Sequence, residues 1–302
     1  MGDSVAEYEV THLTRYTYSE KVSHCHNIGY LIPQSDARQT CSAQSIAISP
    51  RPQIRAEHDD YFGNRFCYFS VEEAHRELEV VSKTRISTQP AQARDWQQSP
   101  VWEDVARTVK NPPDAEALLA VEYTLPSAFV PFPEELRELS TKIFAPQRPV
   151  LDACFELTRL IYTDFQYAQK ATTILTPLTE IYRTRKGVCQ DFAHLCIAVL
   201  RMTGLAARYV SGYIETFPPA GKPKLRGSDA SHAWFSVFVP GMTADGRGQW
   251  FDFDPTNGKA ISEEFITTAR GRDFGDVSPL KGILFGGGKH QLKVEVDVHR
   301  LT

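Results

Sequence analysis

Residues 187–204 are predicted to form a helix with a cysteine in its first turn. Apolar residues recur there at three- and four-residue steps, the pattern of a helix with one apolar face. Gly187 permits a tight entry, and Gly204 lies where a helix C-cap is expected. Cys189 therefore faces unpaired N–H groups and the positive end of the helix dipole. Both favour the thiolate, which is the nucleophilic form of a thiol.

The composition excludes several classes of protein. The 302 residues have room for two domains, and a 42% share of hydrophobic residues is enough for a core. A net charge of −4 gives no indication of a nucleic-acid or membrane surface. No apolar run approaches the ~18 residues of a membrane span. We therefore expect no nucleic-acid partner and no membrane partner, and the sequence does not indicate an oligomeric state.

The cysteines indicate a cellular compartment. Six in this length are too sparse for a disulfide scaffold, and no Cys-x-x-Cys pair occurs. The first seven residues have neither the basic region nor the apolar core of a secretory signal. Both observations predict a cytoplasmic protein with free thiols. One thiol is then chemically special, and the other five are expected to be packing residues.

Alternation of apolar and polar residues predicts an all-β region near the N-terminus. Residues 8–18 and 78–86 follow the period of a strand, and the pair Gly63-Asn64 indicates a hairpin turn. Several strands joined by local turns are typical of an antiparallel sheet or a small sandwich. We place this β-rich domain at residues 1–95.

The pattern changes twice further along the chain. Five prolines between residues 88 and 130 predict a linker with helical segments, which we place at 96–130. Helices follow, and after Gly204 the period becomes that of strands, with an alternating last strand at 291–301. This order is typical of an α+β fold. We place the second domain at residues 131–302, with helices expected at 133–144, 151–165 and 176–185 and strands at 207–216, 233–239 and 249–253.

A nucleophilic thiolate needs a base. His194 lies roughly 140° around the helix from Cys189, and Asp191 about 200°, at 3.6 residues per turn. Neither faces the thiol, so His194 is expected to be a core or surface histidine. His232 is the better candidate, because it begins a predicted strand after a small-residue loop at 227–230. Taken alone, His232 is more simply a loop histidine with a backbone partner.

The base in turn needs an orienting carboxylate. Phe251 and Phe253 are predicted to face the core, which puts Asp252 and Asp254 together on the other face of a strand that ends at Pro255. Strand geometry leaves the choice between these two aspartates open.

Two segments resemble metal sites only in part. The His-Cys-His run at 24–26 lacks the second pair of ligands that a structural zinc needs. Residues 252–263 faintly resemble a calcium loop, with Glu263 twelfth counting from Asp252, but Pro255 and the misplaced Gly258 do not fit that loop. We expect neither a metal nor a cofactor.

The sequence carries four motifs in order, and together they resemble the bacterial transglutaminase-like superfamily of papain-fold thiol enzymes. The likeness covers roughly residues 150–300, and the first domain is similar to the β-rich N-terminal region that accompanies the core in these bacterial proteins. The motifs are Gly-Val-Cys-Gln-Asp-Phe-Ala-His from residue 187, Ala-Arg-Tyr-Val-Ser-Gly-Tyr from 207, Ser-His-Ala-Trp from 231 and Trp-x-x-Phe-Asp-Pro-Thr-Asn-Gly from 250.

The resemblance implies a papain-like core, preceded by an all-β domain, and a catalytic triad of Cys189, His232 and Asp254. It thereby favours Asp254 over Asp252. One papain feature is missing, because Arg183 occupies the place of the oxyanion-hole glutamine six residues before the cysteine. The second oxyanion donor is therefore unassigned.

The implied chemistry is acyl transfer on a peptide or protein substrate. Hydrolysis is favoured, because bacterial members are mostly regarded as peptidases. Amine transfer or deamidation of protein glutamine uses the same three residues and is the first alternative. A non-catalytic peptide-binding module is the second.

Overall fold

The computed structural model describes residues 5–90, 95–216, 231–243 and 245–301. The first part is a sheet organised around one 24-residue strand, β1 (Ala6–Gly29). Tyr8, Val10, His12 and Thr14 are buried and alternate with more exposed residues, as the sequence predicted. The other strands of this part are β2 (Gln39–Ser49), β3 (Ile54–Asp59), β4 (Arg65–Val71) and β5 (His75–Thr88).

The predicted hairpin is the β3–β4 connection. The two strands are antiparallel and pair up to Asp59 and Arg65. Asp60 closes the turn, because its Oδ1 accepts from the backbone N–H groups of Phe62 and Asn64 at 2.9 and 2.8 Å. Gly63 has φ +78°, a conformation that favours glycine. The Gly-Asn signal is confirmed.

The segment predicted as a linker is helical and packed. It contains α1 (Trp102–Lys110) and α2 (Ala115–Val121). Val105 belongs to the main hydrophobic core, and Val109 packs with α2 in a smaller cluster. The buried Arg201 ties this segment to the core, donating to the carbonyl oxygens of Leu125 and Ala207 at 2.9 Å each. These residues therefore form part of the globular body.

The second part consists of helices followed by an antiparallel sheet, so the α+β prediction is confirmed. The elements are α3 (Arg137–Ile143), α4 (Val150–Asp164), β6 (Gln166–Tyr167), α5 (Leu178–Thr184), β7 (Lys186–Gly187), α6 (Cys189–Met202), β8 (Ala207–Ile214), β9 (Ser231–Val239), β10 (Gln249–Asp254), β11 (Lys259–Ala260), β12 (Phe265–Gly271) and α7 (Phe274–Val277). The order of strands in the sheet is β11-β10-β9-β8-β12.

The central helix α6 is buried on all sides. Every residue from Asp191 to Arg201 is buried, although only one apolar face was expected. The helix lies against β8 and β9 on one side, and α3, α4 and α5 cover the other. It therefore serves as the core of the second part, and its first turn reaches the rim of the sheet.

The last strands belong to the first sheet. β13 (Leu280–Gly286) and β14 (His290–Arg300) both pair with β1. The prediction that residues 291–301 close the second domain's sheet is therefore wrong. The alternation of residues 291–301 requires only that one face of the strand be buried, and Val296 and Val298 are buried against residues of β1. The boundaries at 95 and 131 stay a prediction.

Side-chain amides join the two parts along the edge strand β12. Gln39 donates to the carbonyl oxygen of Thr267 and accepts from its N–H, both at 2.8 Å. Asn64 makes the same pair of bonds with Arg270, both at 2.7 Å. These amides occupy backbone groups that an edge strand otherwise leaves unpaired. Within the described part of the chain, no helix has the length and apolar character needed to cross a membrane.

Candidate functional site

Cys189 is the first residue of α6 and is partly exposed. The entry to the helix is held by Asp191, whose Oδ2 accepts from the Val188 N–H at 2.9 Å and from the Thr172 hydroxyl at 2.6 Å. A Cβ on Gly187 would lie 2.9 Å from the same oxygen, so the turn requires glycine there. Asp191 therefore shapes the backbone that presents the sulfur.

His232 and Asp254 meet at the rim of the sheet. His232 is the second residue of β9, and Asp254 is the last residue of β10. The two strands are antiparallel neighbours, so the start of one lies beside the end of the other. His232 Nε2 is 2.8 Å from Asp254 Oδ2, and both side chains are buried. The loop at 227–230 lies outside the described residues.

Asp254 is held from several directions. Its Oδ1 accepts from the backbone N–H groups of Thr256 and Asn257 at 2.8 and 3.3 Å. Its Oδ2 accepts from the Asn257 side-chain amide at 2.6 Å as well as facing His232. Asn257 therefore fixes the carboxylate from the turn after β10. The sequence reasoning did not identify this residue, although it stands within the Asp-Pro-Thr-Asn-Gly motif.

The site favours an imidazolium facing a carboxylate. Burial acts to lower the pKa of His232, but the charge of Asp254 and hydrogen bonds to Asp254 and Cys189 raise it to about 10. Burial acts to raise the pKa of Asp254, but the charge of His232 and the bonds to Asn257 and Thr256 hold it below its usual value. Since Asp254 occupies Nε2, Nδ1 is the ring nitrogen left to face the sulfur. The structure thus brings Cys189, His232 and Asp254 together.

Aromatic rings cover the imidazole. The ring of His232 lies 6.0 Å from that of Trp234 and 6.1 Å from that of Phe265, between centroids. A Cβ on Gly212 would lie 2.5 Å from the Trp234 ring and 2.1 Å from the Ile266 carbonyl oxygen. Glycine at 212 therefore lets the indole lie against the strand, where it shields the imidazole from water.

The alternative residues have other partners. Asp252 forms an ion pair with Arg38 at 3.7 Å, so the structure places Asp254 rather than Asp252 beside the imidazole. His194 is a buried core histidine, as expected, and its Nε2 accepts from the Phe274 N–H at 3.1 Å. Burial lowers its pKa to about 4. Arg183 is exposed on α5.

The partial metal motifs are occupied in other ways. Cys25 is buried, His26 Nδ1 lies 2.8 Å from the Tyr68 hydroxyl, and His24 stacks on Phe285. Among the residues that the structure describes, no group of three or more His, Cys, Asp and Glu side chains is arranged to hold a metal ion.

Comparisons with known proteins agree on the family. A family model described as the bacterial transglutaminase-like N-terminal region matches residues 8–87, and one for the transglutaminase-like superfamily core matches residues 137–255. The Mycobacterium tuberculosis protein Rv2569c is 40% identical over 295 residues, covering 96% of this chain and 92% of that protein. The Mycobacterium leprae protein ML0607 is 30% identical over 295 residues, covering 97% and 98%.

This chain belongs to the transglutaminase-like superfamily. A solved structure from Cytophaga hutchinsonii, described as a "Putative Cysteine Protease", superposes with a TM-score of 0.76 and 21% identity, covering 99% of this chain and 92% of that one. At this identity the likeness shows a common fold, including the N-terminal β-rich part.

In this transglutaminase-like core, one neighbour of the thiol was not anticipated. Tyr167 pairs with Gly187 through the short parallel strands β6 and β7, two residues before Cys189. Burial raises the pKa of Tyr167, and the negative charge of a Cys189 thiolate raises it further. A two-residue strand has no periodicity, so the sequence could not have indicated this placement.

Proposed function

We propose that this protein is a thiol enzyme that hydrolyses peptide or amide bonds through Cys189, His232 and Asp254. The observation that carries the proposal is the buried 2.8 Å contact between His232 and Asp254, with the Cys189 side chain near enough to raise the pKa of the same imidazole. A nucleophile, a base and an orienting carboxylate in that order are the elements of nucleophilic acyl transfer.

The first half-reaction forms a thioester. The Cys189 sulfur attacks the substrate carbonyl, and the oxyanion that develops is stabilised by the Cys189 backbone N–H at the start of α6. His232, protonated when the reaction begins, gives its proton to the leaving amine. Its pKa of about 10 keeps that proton in place at neutral pH. The amine departs with the proton and leaves the acyl group on sulfur.

The second half-reaction restores the enzyme. His232, now neutral, takes a proton from water as the water oxygen attacks the thioester carbonyl. The carbon–sulfur bond breaks, and the products are a carboxylic acid and the thiolate paired with the imidazolium. Asp254 holds the ring orientation and stabilises its cation in both halves.

The acceptor of the acyl group separates hydrolysis from its alternatives. If an amine replaces water, the same residues perform transglutamination, and if the substrate is a glutamine side chain, hydrolysis is deamidation. The description of the Cytophaga hutchinsonii protein as a "Putative Cysteine Protease" is consistent with peptide hydrolysis. The substrate side chains and the cytoplasmic location stay predictions.

The test is incubation of the protein with a peptide library, with and without a primary amine, read by mass spectrometry. We expect cleaved peptides in both samples. Amine incorporation with loss of ammonia would overturn hydrolysis in favour of transglutamination. The control is Cys41→Ser, because Cys41 is the other partly exposed cysteine, whereas Cys189→Ser should abolish every product.

Alkylation distinguishes an enzyme from a non-catalytic peptide-binding module. Iodoacetamide should label Cys189 faster than Cys41, although both are partly exposed, because the imidazolium stabilises the thiolate. His232→Ala should remove most of this difference. Equal labelling rates in the unmodified protein would favour the binding module.

A further inference from the structure

A cavity lies at the opposite end of the core sheet from the Cys189 site. Its volume is about 400 Å³, within the range of small-molecule sites. Phe238 in its wall and His232 at the other site are six residues apart on β9, which corresponds to roughly 20 Å. The cavity is bounded by the β3–β4 turn, by α2 and by the ends of β8 to β10, and its main lining residues are Tyr61, Phe62, Tyr123, Arg208, Phe238 and Trp250.

Its walls are aromatic. The Trp250 ring lies 5.3 Å from Phe238 and 5.2 Å from Tyr123, and Phe62 lies 6.0 Å from Tyr123, all between centroids. A Cβ on Gly248 would lie 2.0 Å from the Phe238 ring, so this wall depends on glycine. These distances are those of packed aromatic pairs, so the rings form one continuous apolar wall, against which a flat apolar group can lie.

One cation faces this aromatic lining. The Arg208 guanidinium carbon lies 3.9 Å from the centroid of the Trp250 ring. Its Nε is buried and has no hydrogen-bond partner, and within the described residues no carboxylate lies within ion-pair distance of the group. Burial, and then the charge of Arg270, lower the pKa of Arg208 to about 9, so it is charged at neutral pH.

The nearby carboxylates are paired with other arginines. Behind Arg208, Asp252 pairs with Arg38 at 3.7 Å, and Asp36 pairs with Arg270. At the mouth of the cavity the same holds for two glutamates that line it: Glu116 lies 3.6 Å from Arg247, and Glu122 lies 3.7 Å from Arg272. Arg247 and Arg272 also pair with Asp245 and Asp276, at 2.7 and 2.9 Å. Arg208 is therefore the arginine of this region that has no ion-pair partner among the described residues.

We propose that this cavity binds a carboxylate attached to a flat aromatic group, with Arg208 as the carboxylate receptor. One face of the guanidinium is covered by Trp250, so its free N–H edge is what a ligand meets, and that planar fork matches the two oxygens of a carboxylate. The ligand is either a free aromatic acid or the C-terminal aromatic residue of a peptide, which present the same chemistry.

The test is calorimetric titration of the Cys189→Ser protein, in which no probe can be turned over. Phenylacetate is compared with phenylacetamide, and N-acetyl-Ala-Ala-Phe is compared with its C-terminal amide. We expect at least one acid to bind ~10-fold or more tightly than its amide, since a hydrogen-bonded charge contributes that much. The first pair reports a free acid and the second a peptide terminus. Acids no tighter than their amides, or no binding up to ~10 mM, would overturn the proposal.

Substitution locates the site. Arg208→Gln should remove the preference for acids, whereas Arg247→Gln, which alters an exposed arginine at the mouth, should leave it unchanged. If Arg208→Gln does not fold by circular dichroism, Arg208→Lys keeps the charge, loses the planar fork and should reduce the preference. A preference that survives both Arg208 variants would contradict the assignment. Because binding is measured without catalysis, failure here leaves the proposed hydrolysis standing.

Discussion

The two ends of the core sheet carry polar groups in opposite states. At the rim, both oxygens of Asp254 accept hydrogen bonds and the carboxylate faces His232. Further along the same strands, Arg208, Ser236 and Asp252 are register partners across β8, β9 and β10. Arg208 Nε, Ser236 Oγ and Asp252 Oδ1 are all buried, and none has a hydrogen-bond partner within the described part of the chain.

This difference in hydrogen bonding indicates which end of the sheet can gain from a bound ligand. A buried polar atom without a partner costs about 1–3 kcal/mol, so Arg208 gains from a group that enters the cavity from outside. At the rim the His232–Asp254 pair is already hydrogen-bonded, although Trp234 Nε1 and Thr256 Oγ1 beside it are also buried without a partner in the described part of the chain. The fully buried Trp234 lies between them on the same face of β9 as His232 and Ser236. One sheet therefore combines a preorganised site with an unsatisfied one.

Removal of the sulfur should have the largest effect. Cys189→Ser is expected to lower kcat/KM by at least ~1000-fold, because the acyl-enzyme cannot form efficiently. The melting temperature should change little, since the side chain is partly exposed. Peptide cleavage assays and calorimetry measure the two quantities, with Cys41→Ser as the matched control. Residual activity near that of the control would remove Cys189 from the mechanism.

Single substitutions of the two aspartates of β10 test which of them orients His232. Asp254→Asn should lower kcat by ~100-fold or more, because the imidazole loses its orienting charge. Asp252→Asn breaks only the ion pair with Arg38 and should change kcat less than ~3-fold. NMR titration of His232 should show its pKa falling from about 10 in Asp254→Asn. Equal losses of kcat in the two variants would contradict the assignment.

The ion pair also predicts how stability depends on pH. The folded-state pKa of His232 is raised, so its contribution is fully present below pH ~6.5 and is lost as the pH rises towards 10. The folded-state pKa of Asp254 is lowered, so its contribution is lost as the pH falls below ~4. Urea unfolding should show a decrease on the order of a few kcal/mol between pH 6.5 and 10.

The Asp254→Asn protein is the control for this dependence. Its free energy of unfolding should vary much less over the same range, because the histidine pKa is no longer raised. A decrease of the same size in both proteins would mean that other groups govern the alkaline limb.

The smallest effect is expected from substitution of Arg208, and this substitution should stabilise the protein instead of impairing it. Arg208→Met should raise the free energy of unfolding by about 1 kcal/mol without ligand, because it removes a partly buried cation that has no counter-ion among the described residues. The matched substitution Arg201→Met should destabilise the protein, because Arg201 donates to the carbonyl oxygens of Leu125, Ala207 and Arg272. Urea unfolding measures both. Destabilisation by Arg208→Met comparable to that of Arg201→Met would remove the contrast between the two ends.

Local patterns were sufficient for the elements that carry the site. The alternation along β1 and the glycine at 187 depend on the nearest residues in the chain, and both are confirmed. The helix α6 is confirmed as well, but it is buried on all sides and not only on the one apolar face that its pattern predicted. The placing of Cys189 at a helix start and of His232 near a strand start follows from the same rules. Their predicted catalytic roles depend on the family resemblance and stay to be tested.

Contacts between distant parts of the chain were not accessible in this way. Alternation put Asp252 and Asp254 on one face, but the Arg38 side chain, from the bend before β2, pairs with Asp252 and leaves Asp254 to His232. The same pattern in β14 predicted a buried face and not the sheet that buries it.

The sequence alone determined the elements with a clear period, among them α4, α6, β1, β5, β8 and β14, because that period depends on neighbours a few positions away. Only the tertiary structure decided that β14 returns to β1 and that Asn257 holds Asp254. It also decided that Arg208 has no counter-ion among the described residues, because the pairing of charges depends on every group that lies nearby in space, however distant in the chain.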